Sequence, residues 1–349
     1  MTLPDNAEGV RCPVCLSRVS LDFDKLWEWV DGRHQPLDIP EQATEEQRAR
    51  RLRRAQVRCP NLGQDFPEHF LPYQYVDSDP VVIGLIGASM SGKTHLLASM
   101  IAAVQDDGLD RYGLSVTPLD IARYERFINT KVRPLFERGE VLARTSDNVW
   151  EFEVGLMVSD RDGPPSAPQR AVAFFDVSGG ELSALSPAER RVFLDAVDAF
   201  VFVVDADQLD GGVPDAAFST ILSLVQNKQD KAALLILTKA DRFRFGYPVD
   251  RWLRDGPPSP DLDAAEIEAE SREIYTFVER YDKAGGWLRP YFEFGRSAMH
   301  AASATGGPCA PGQRHFARPV RPQRVLRSFL TLMALTGVID SDEARKVGR

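Results

Sequence analysis

Four segments of this chain are unbroken apolar runs of strand length: "VVIGLIG" (Val81–Gly87), "AVAFFD" (Ala171–Asp176), "AFVFVVD" (Ala199–Asp205) and "ALLILT" (Ala233–Thr238). A strand reads this way when both faces of its sheet are covered, so the four predict a buried parallel sheet. "NVWEFEVGLMV" (Asn148–Val158) alternates apolar and polar residues instead, which predicts an edge strand antiparallel to the next. "RDGPPSAPQ" between those two segments reads as a loose hairpin tip. Amphipathic segments between the runs predict helices over Thr94–Gln105, Ile121–Glu137, Pro187–Val197, Asp215–Gln226 and Ala264–Tyr281, with a closing helix over Gln323–Ile339. Pro/Gly-rich connectors at 255–261 and 306–322 read as loops, and no internal repeat is visible.

Alternation of strands and helices implies an α/β fold, a doubly wound, mostly parallel sheet, beginning near residue 78 and running to about 340. Residues 1–77 differ in texture: they hold three of the four cysteines, several prolines and a polar helix-like run from Glu41 to Gln56. Residues 341–349 read as a tail. The 349 residues carry a formal net charge of -9, which argues against bulk attraction to nucleic acid or an anionic membrane. No apolar run approaches the roughly 20 residues that a membrane-spanning helix needs. "MTLPDNAEGV" lacks the basic start and apolar stretch of a signal peptide, and the sparse cysteines suit a reducing cytoplasm.

Composition says little about chemistry; one loop says more. In "GLIGASMSGKTHLL" (Gly84–Leu97), Gly87, Gly92, Lys93 and Thr94 fit G-x-x-x-x-G-K-T between a predicted strand and a predicted helix. Glycines and Ser91 let backbone N–H groups turn inward around a phosphate, and the helix N-terminus adds partial positive charge. Lys93 would reach the β- and γ-phosphates, and the Thr94 hydroxyl would ligate Mg²⁺. A second metal-holding acid is expected at a neighbouring strand end, where Asp176 and Asp205 both qualify. Asp176 continues as D-x-x-G with Gly179, whose N–H can sense a γ-phosphate, whereas Asp205 reads as a strand-end residue beside a loop. "LLILTKAD" then supplies Thr238, Lys239 and Asp241, the T/N-K-x-D pattern. A carboxylate at Asp241 accepts from both guanine N1–H and the exocyclic amine, and adenine offers no donor at either position.

Together these residues resemble the Ras-like P-loop GTPases of the translation-factor-related (TRAFAC) class, over about Pro80 to Ile339. The resemblance implies a six-stranded doubly wound sheet, GTP/GDP and Mg²⁺ binding, and two switch segments. It implies a phosphate loop of Gly87, Gly92, Lys93 and Thr94, a second switch at Asp176 and Gly179, and base selection by Thr238, Lys239 and Asp241. It also implies a first-switch threonine on Mg²⁺, for which Thr145 is preferred to Thr117. For the Ser-Ala turn that meets guanine O6, Ser303-Ala304 is preferred to Ser297-Ala298. The long amphipathic stretch from Thr117 to Arg144, with the N-terminal cysteines, resembles the bacterial double-GTPase group, which implies a regulatory partner or second GTPase in a defence or conflict-type gene set.

The chain departs from that class where a glutamine should follow the D-x-x-G glycine: Gly180 stands there, followed by Glu181. Glycine cannot orient water, so slow intrinsic hydrolysis is expected, with Glu181 or a partner completing the site. A GTP-binding scaffold that barely hydrolyses and a P-loop ATPase using Asp205 are the alternatives. At the N-terminus "RCPVC" (Cys12, Cys15) has the form of a zinc knuckle, and Cys59 in "RCPNLG" repeats half of it, with Leu62 where a second cysteine belongs. His69 and His34 are the candidate fourth ligands; Zn²⁺ binding and a ribbon that has lost its metal both stay open. Cys309 reads as a free thiol. The six arginines of Arg48–Arg58 read as a solvated helix face, with nucleic acid a minor alternative.

Overall fold

A computed structural model describes residues 9–61, 68–73, 75, 80–143, 150–161, 169–178, 186–210, 216–254, 262–310 and 312–348. The N-terminal region opens with a short antiparallel pair, β1 (Val10–Arg11) and β2 (Arg18–Val19). A second antiparallel sheet follows in the order β4-β3-β5-β6, from β3 (Leu26–Val30), β4 (Arg33–Pro36), β5 (Gln56–Arg58) and β6 (Phe70–Pro72). Helix α1 (Glu45–Leu52) starts on a capping box, in which Thr44 and Gln47 satisfy each other's backbone N–H groups, and it buries none of its residues.

The main sheet has seven strands: β7 (Val81–Gly87), β8 (Leu114–Pro118), β9 (Trp150–Asp160), β10 (Arg170–Ser178), β11 (Ala199–Asp205), β12 (Ala232–Thr238) and β13 (Arg296–Ala301). Their order is β13-β12-β11-β7-β10-β9-β8. Five neighbours from β13 to β10 are parallel, and β9 runs antiparallel to both β10 and β8. Six strands were expected, with β9 at the edge; β8 is an additional strand and takes the edge itself. An edge strand buries only part of its side chains and tolerates a terminal proline, so β8 never forms an apolar run.

Alternate residues of each central strand feed two separate cores. Val82 and Ile86 of β7 and Phe200, Phe202 and Val204 of β11 enter one; Val81, Ile83, Leu85, Ala199, Val201 and Val203 enter the other. The first core is covered by α5 (Pro187–Ala196) and α6 (Ala216–Leu224), and the second by α2 (Lys93–Ala103) and α11 (Val325–Leu335). This is a doubly wound arrangement, with helices on both faces. Between α2 and α11 lie α3 (Ile121–Phe127), α4 (Arg133–Arg138), α7 (Val249–Leu253), α8 (Ala264–Glu279), α9 (Gly285–Leu288) and α10 (Pro290–Glu293). A π-helical stretch at Ile128–Val132 joins α3 to α4 just before Pro134, whose missing N–H would interrupt a regular helix there. Gly139, at φ 64°, then ends α4.

Cys12, Cys15, Cys59 and Tyr75 belong to the same buried cluster as Phe152, Phe175 and Met157, so the N-terminal region packs on the first face of the sheet. The described residues contain no helix long and apolar enough to cross a membrane. Phe202 packs in tilted and edge-on contacts against Phe200, Phe218 and Phe294, with ring centroids 5.0–6.0 Å away. Phe202→Ala is therefore expected to destabilise the protein by about 3–5 kcal/mol, measured by urea denaturation.

Candidate functional site

The chain leaves β7 for the far edge of the sheet, returns through β9 and β10, and then places β11 on the other side of β7. The order of strands thus reverses at β7, and the crevice beyond the carboxyl ends of strands at such a point is where open α/β sheets bind ligands. The preferred nucleotide residues that are described lie at or just beyond those ends, whereas Ser297 and Ala298 lie at the start of β13. Thr145, Gly179, Gly180 and Glu181 lie outside the described residues.

Residues Ala88–Gly92 form a tight turn between β7 and α2. Gly92 caps α2 at φ 96°, and Met90 adopts φ 66° with its side chain in solvent. A side chain at Gly87 would meet Ser91 Oγ at 2.9 Å and Val203 O at 3.0 Å, so only glycine lets the turn pass this close to β11. Ser91 Oγ is buried and finds no hydrogen-bond partner among the described residues. Lys93 curls back over the loop: its Nζ donates to Gly87 O (2.9 Å) and Ala88 O (3.3 Å) and stands 3.7 Å from Asp176 Oδ1. Asp176 is buried at the end of β10, two residues before Ser178, which lies opposite Gly87. Thr94 opens the first turn of α2. Lysine, hydroxyl and carboxylate are thereby gathered around one helix N-terminus.

The second group of residues is built on the end of β12. Thr238 is buried, and its Oγ1 lies 2.8 Å from Ser91 O and 3.1 Å from Val204 O. Lys239, in the left-handed region at φ 52°, sends Nζ to Asp205 Oδ2 (2.8 Å) and Asp207 Oδ2 (3.1 Å). Asp205 also accepts from Asp207 N at 3.0 Å, so its carboxylate is engaged by its own loop. Asp241 is buried, and Ser303 Oγ donates to its Oδ1 at 2.6 Å while accepting from Gly306 N at 2.9 Å. Ser297, the other candidate serine, donates instead to Tyr291 O at 2.6 Å, and Ala298 is buried within β13. Of the two Ser-Ala pairs, only Ser303-Ala304 reaches Asp241.

Three residues at this end of the sheet carry no motif. Ser99 of α2 donates to Ala304 O at 2.7 Å; its signal was a serine inside an otherwise apolar helix segment. His95 Nε2 accepts from Leu142 N at 3.1 Å, and burial, with Lys239 and Lys131 nearby, pulls its pKa down to about 4. The third is Glu153. The register between β9 and β10 slips where Val154 pairs Phe174 and Phe152 pairs Phe175, which leaves Glu153 as the extra residue of a β-bulge. Its Oε1 is buried with no hydrogen-bond partner among the described residues. Burial pushes its carboxyl up to about 7, and Asp176 and Glu151 add to the shift against Lys131. A bulge cannot be read from one strand's pattern, because it is a property of the pair.

On the face of the sheet that the N-terminal region covers, Cys12, Cys15, Cys59 and His69 converge. All four are buried, and their ligand atoms lie within 4.8 Å of one another. Cys12 Sγ is 3.2 Å from His69 Nε2 and Cys15 Sγ is 3.9 Å from Cys59 Sγ. Cys12 and Cys15 sit in the turn between β1 and β2, where Leu16 N donates to Cys12 O. Cys59 and His69 face each other just beyond β5 and β6, joined by Cys59 N to His69 O. Burial pushes the Cys12 thiol up, and hydrogen bonds from Cys12 and Cys59 bring Cys15 down. His34 is elsewhere: it stacks on Phe70 at 3.6 Å and bonds Gln56 Oε1. Cys309 is a free thiol.

No family model matches this chain, and no curated protein matches it. Among solved structures it is similar to the GTPase-like domain of S. cerevisiae Ski7 bound to GDP and inorganic phosphate, at 14% identity over 76% of this chain and 51% of that one, with a TM-score of 0.33. The same domain bound to GTP gives 12% identity, the same coverage and a TM-score of 0.32. This chain thus spans about half the length of those chains. A likeness at this level defines neither fold nor function.

Glu153 provides a direct check of the electrostatics. A carboxyl whose folded pKa is raised favours folding below its unfolded pKa, near 4.5, and opposes it as pH rises through about 7. Glu153→Gln should leave stability unchanged at pH 4 and raise it by about 1–3 kcal/mol at pH 8, measured by urea denaturation at both pH values.

Proposed function

We propose that the protein binds GTP and GDP with Mg²⁺ and acts as a slowly hydrolysing switch, regulated by a partner protein or a second GTPase. The observation that carries this reading is the pairing of Ser303 Oγ with Asp241 Oδ1, three residues beyond the last residue of β12, Thr238, which bonds the phosphate loop. A carboxylate so held can present an oxygen to guanine N1–H and the 2-amino group, while Gly87, Ser91, Gly92 and Lys93 take the phosphates. Lys239 offers its stem to the base plane, and the Ser303-Ala304 turn lies beside the base-reading carboxylate. Thr94 and Asp176 are hard oxygen donors of the kind Mg²⁺ takes, and they would hold it beside the phosphates. The ion would neutralise charge on the β- and γ-phosphates. Thr145 and Gly179 are assigned to sensing the γ-phosphate, and Glu181 to aiding the attacking water, on the sequence pattern alone. Gly180 in place of glutamine supports slow turnover or a scaffold that barely hydrolyses; single-turnover GTP hydrolysis separates the two. An ATPase built on Asp205 is less well supported, since Lys239 and the Asp207 backbone already engage that carboxylate.

The cysteine cluster fits Zn²⁺. Three thiolates and an imidazole are the donors a structural site uses, and a tetrahedral ion bound at about 2.3 Å sets sulfurs about 3.8 Å apart, close to the Cys15–Cys59 separation. His69, rather than His34, is the fourth ligand on this reading. The place of Cys12, Cys15 and Cys59 in the buried cluster with Phe152 and Phe175 supports a role for the site in holding the N-terminal region on the GTPase-like body. A cytoplasmic home is proposed from the sparse cysteines, and a defence-type role from the sequence resemblance alone.

Two measurements test these assignments. Nucleotide competition should give GTP at least tenfold tighter than ATP, and Asp241→Asn should weaken GTP by a hundredfold or so while favouring xanthosine triphosphate, whose C2 carbonyl accepts a donor. Equal binding of ATP and GTP would defeat the guanine reading. Separately, purified protein should carry about one Zn²⁺ per chain by elemental analysis, and chelation should lower its melting temperature. Cys59→Ser should abolish both the bound metal and the sensitivity to chelator.

A further inference from the structure

Asp241 reads a base only if Ser303 is held against it, and Ser303 belongs to a connection, Ala302–Gly306, rather than to a strand. The connection is fixed from two directions. Behind it lies the end of β13, where Ala302 N donates to Leu237 O at 2.9 Å. Beside it runs the segment entering α11, which exchanges two backbone bonds with Ser303: Ser303 N to Gln323 O (3.1 Å) and Gln323 N to Ser303 O (2.8 Å). Arg324 follows immediately, in the left-handed region at φ 64°. A non-glycine residue keeps that backbone only where its surroundings over-determine it.

Both supports meet on one side chain. Glu270 of α8 is fully buried. Its Oε1 accepts from Ala301 N at 3.2 Å, two residues before Ser303, and its Oε2 accepts from Arg324 Nη2, one residue after Gln323. His300 Nδ1 stands 2.9 Å from the same Oε2, within ion-pair range though out of line for a hydrogen bond, and its Nε2 lies 2.8 Å from Thr331 Oγ1 of α11. One residue along, Ser271 Oγ accepts from Met299 N at 2.9 Å. Helix α8 therefore covers the open edge of β13 with side-chain acceptors, which is how an edge strand avoids exposed donors. Burial pushes the Glu270 carboxyl up, but His300 and Arg324 more than offset this and hold it at about 2.

A buried charge is a poor device for stability alone, because apolar residues of similar volume do as well or better. What a carboxylate adds is direction: two oxygens, one fixed on the last residue of β13 and the other on the residue that caps α11. We propose that Glu270 is a positioning residue for base recognition, clamping Ala301 and Arg324 so that Ser303 is held on Asp241, and that selectivity for guanine depends on its charge. The inference rests on the guanine reading of Asp241. The phosphate loop hangs from β7 and α2, so its affinity should not depend on the clamp.

The test uses the full chain and four probes: GDP, inosine diphosphate (which lacks the 2-amino group), ADP and inorganic pyrophosphate. Glu270→Gln keeps the size of the side chain and removes its charge; Arg324→Gln breaks the same bridge from the other side. In either variant GDP should weaken about tenfold, the change expected from one lost charged hydrogen bond. Its preference over inosine diphosphate should shrink toward one, and pyrophosphate affinity should match wild type. The inference is overturned if both variants keep the wild-type preference for GDP, or if GDP and pyrophosphate weaken in proportion, as general loss of structure would produce. A wild-type protein that binds ADP as well as GDP overturns the guanine reading itself, and is recognised before any variant is made.

Discussion

The hydroxyl of Thr238 lies between two carbonyls, Ser91 O in the turn before α2 and Val204 O at the end of β11. Everything at the ligand end of the sheet is arranged around that contact. It joins the strand carrying Asp241 to the loop carrying Lys93, across the intervening strand. Gly87 allows it: a side chain there would strike Ser91 Oγ and the Val203 backbone and push the loop away from β11. Ser99 makes a second tie from the same helix to the Ser303-Ala304 connection. The phosphate-like and base-like halves of the site are thus joined by hydrogen bonds at Thr238 and Ser99 into one unit.

That unit can be rigid because the sheet beneath it is. Strands β7 and β11 are buried along their whole length and divide their side chains between two cores. Close packing on both faces fixes the heights at which Gly87, Asp176, Asp205 and Thr238 leave the sheet. Phenylalanines dominate one face, where Phe175 meets Phe193 and a second set of ring contacts joins Phe200, Phe202, Phe218 and Phe294. Gly84 lies against both sets: a β-carbon there would stand 3.5–3.7 Å from Phe200, Val177 and Phe193.

Much of this was legible in the sequence for a physical reason. A strand buried on both faces must be apolar throughout, so β7, β10, β11 and β12 announce themselves. A phosphate loop needs glycines at set positions between a strand and a helix. Strand β8 has neither property: "LSVTP" is half-exposed and ends in proline, and only pairing with Met157 and Val158 of β9 makes it a strand. The choice between Ser303 and Ser297 needed the third dimension, because both stand in small, polar surroundings and only one reaches Asp241. His69 and His34 differ in the same way, since one ends the hairpin that carries Cys59 and the other lies against Phe70. Glu153 and Glu270 were invisible because a glutamate in a strand or helix is ordinarily on the surface, and burial is set by neighbours distant in the chain.

The charged side chains at this end of the sheet follow one rule. Lys93 is held by Gly87 O and Ala88 O beside Asp176, Lys239 by Asp205 and Asp207, and Arg324 by Glu270. Each cation is kept partly or wholly out of water by acceptors of its own fold, as a buried charge must be. The three differ in what a ligand could offer them. Lys93 is held chiefly by neutral carbonyls, and a phosphate is a stronger acceptor than a carbonyl, so Lys93 gains by the exchange. Lys239 already has two carboxylates and gains nothing from a third anion; its stem, not its charge, is what remains for a base. Arg324 is paired with the buried carboxylate of Glu270 and stands 3.9 Å from Glu266, so it too gains nothing from another anion. On the guanine reading, the same chemistry is thus graded from exchangeable to fixed, with the phosphate contact free to respond and the base-reading framework held still.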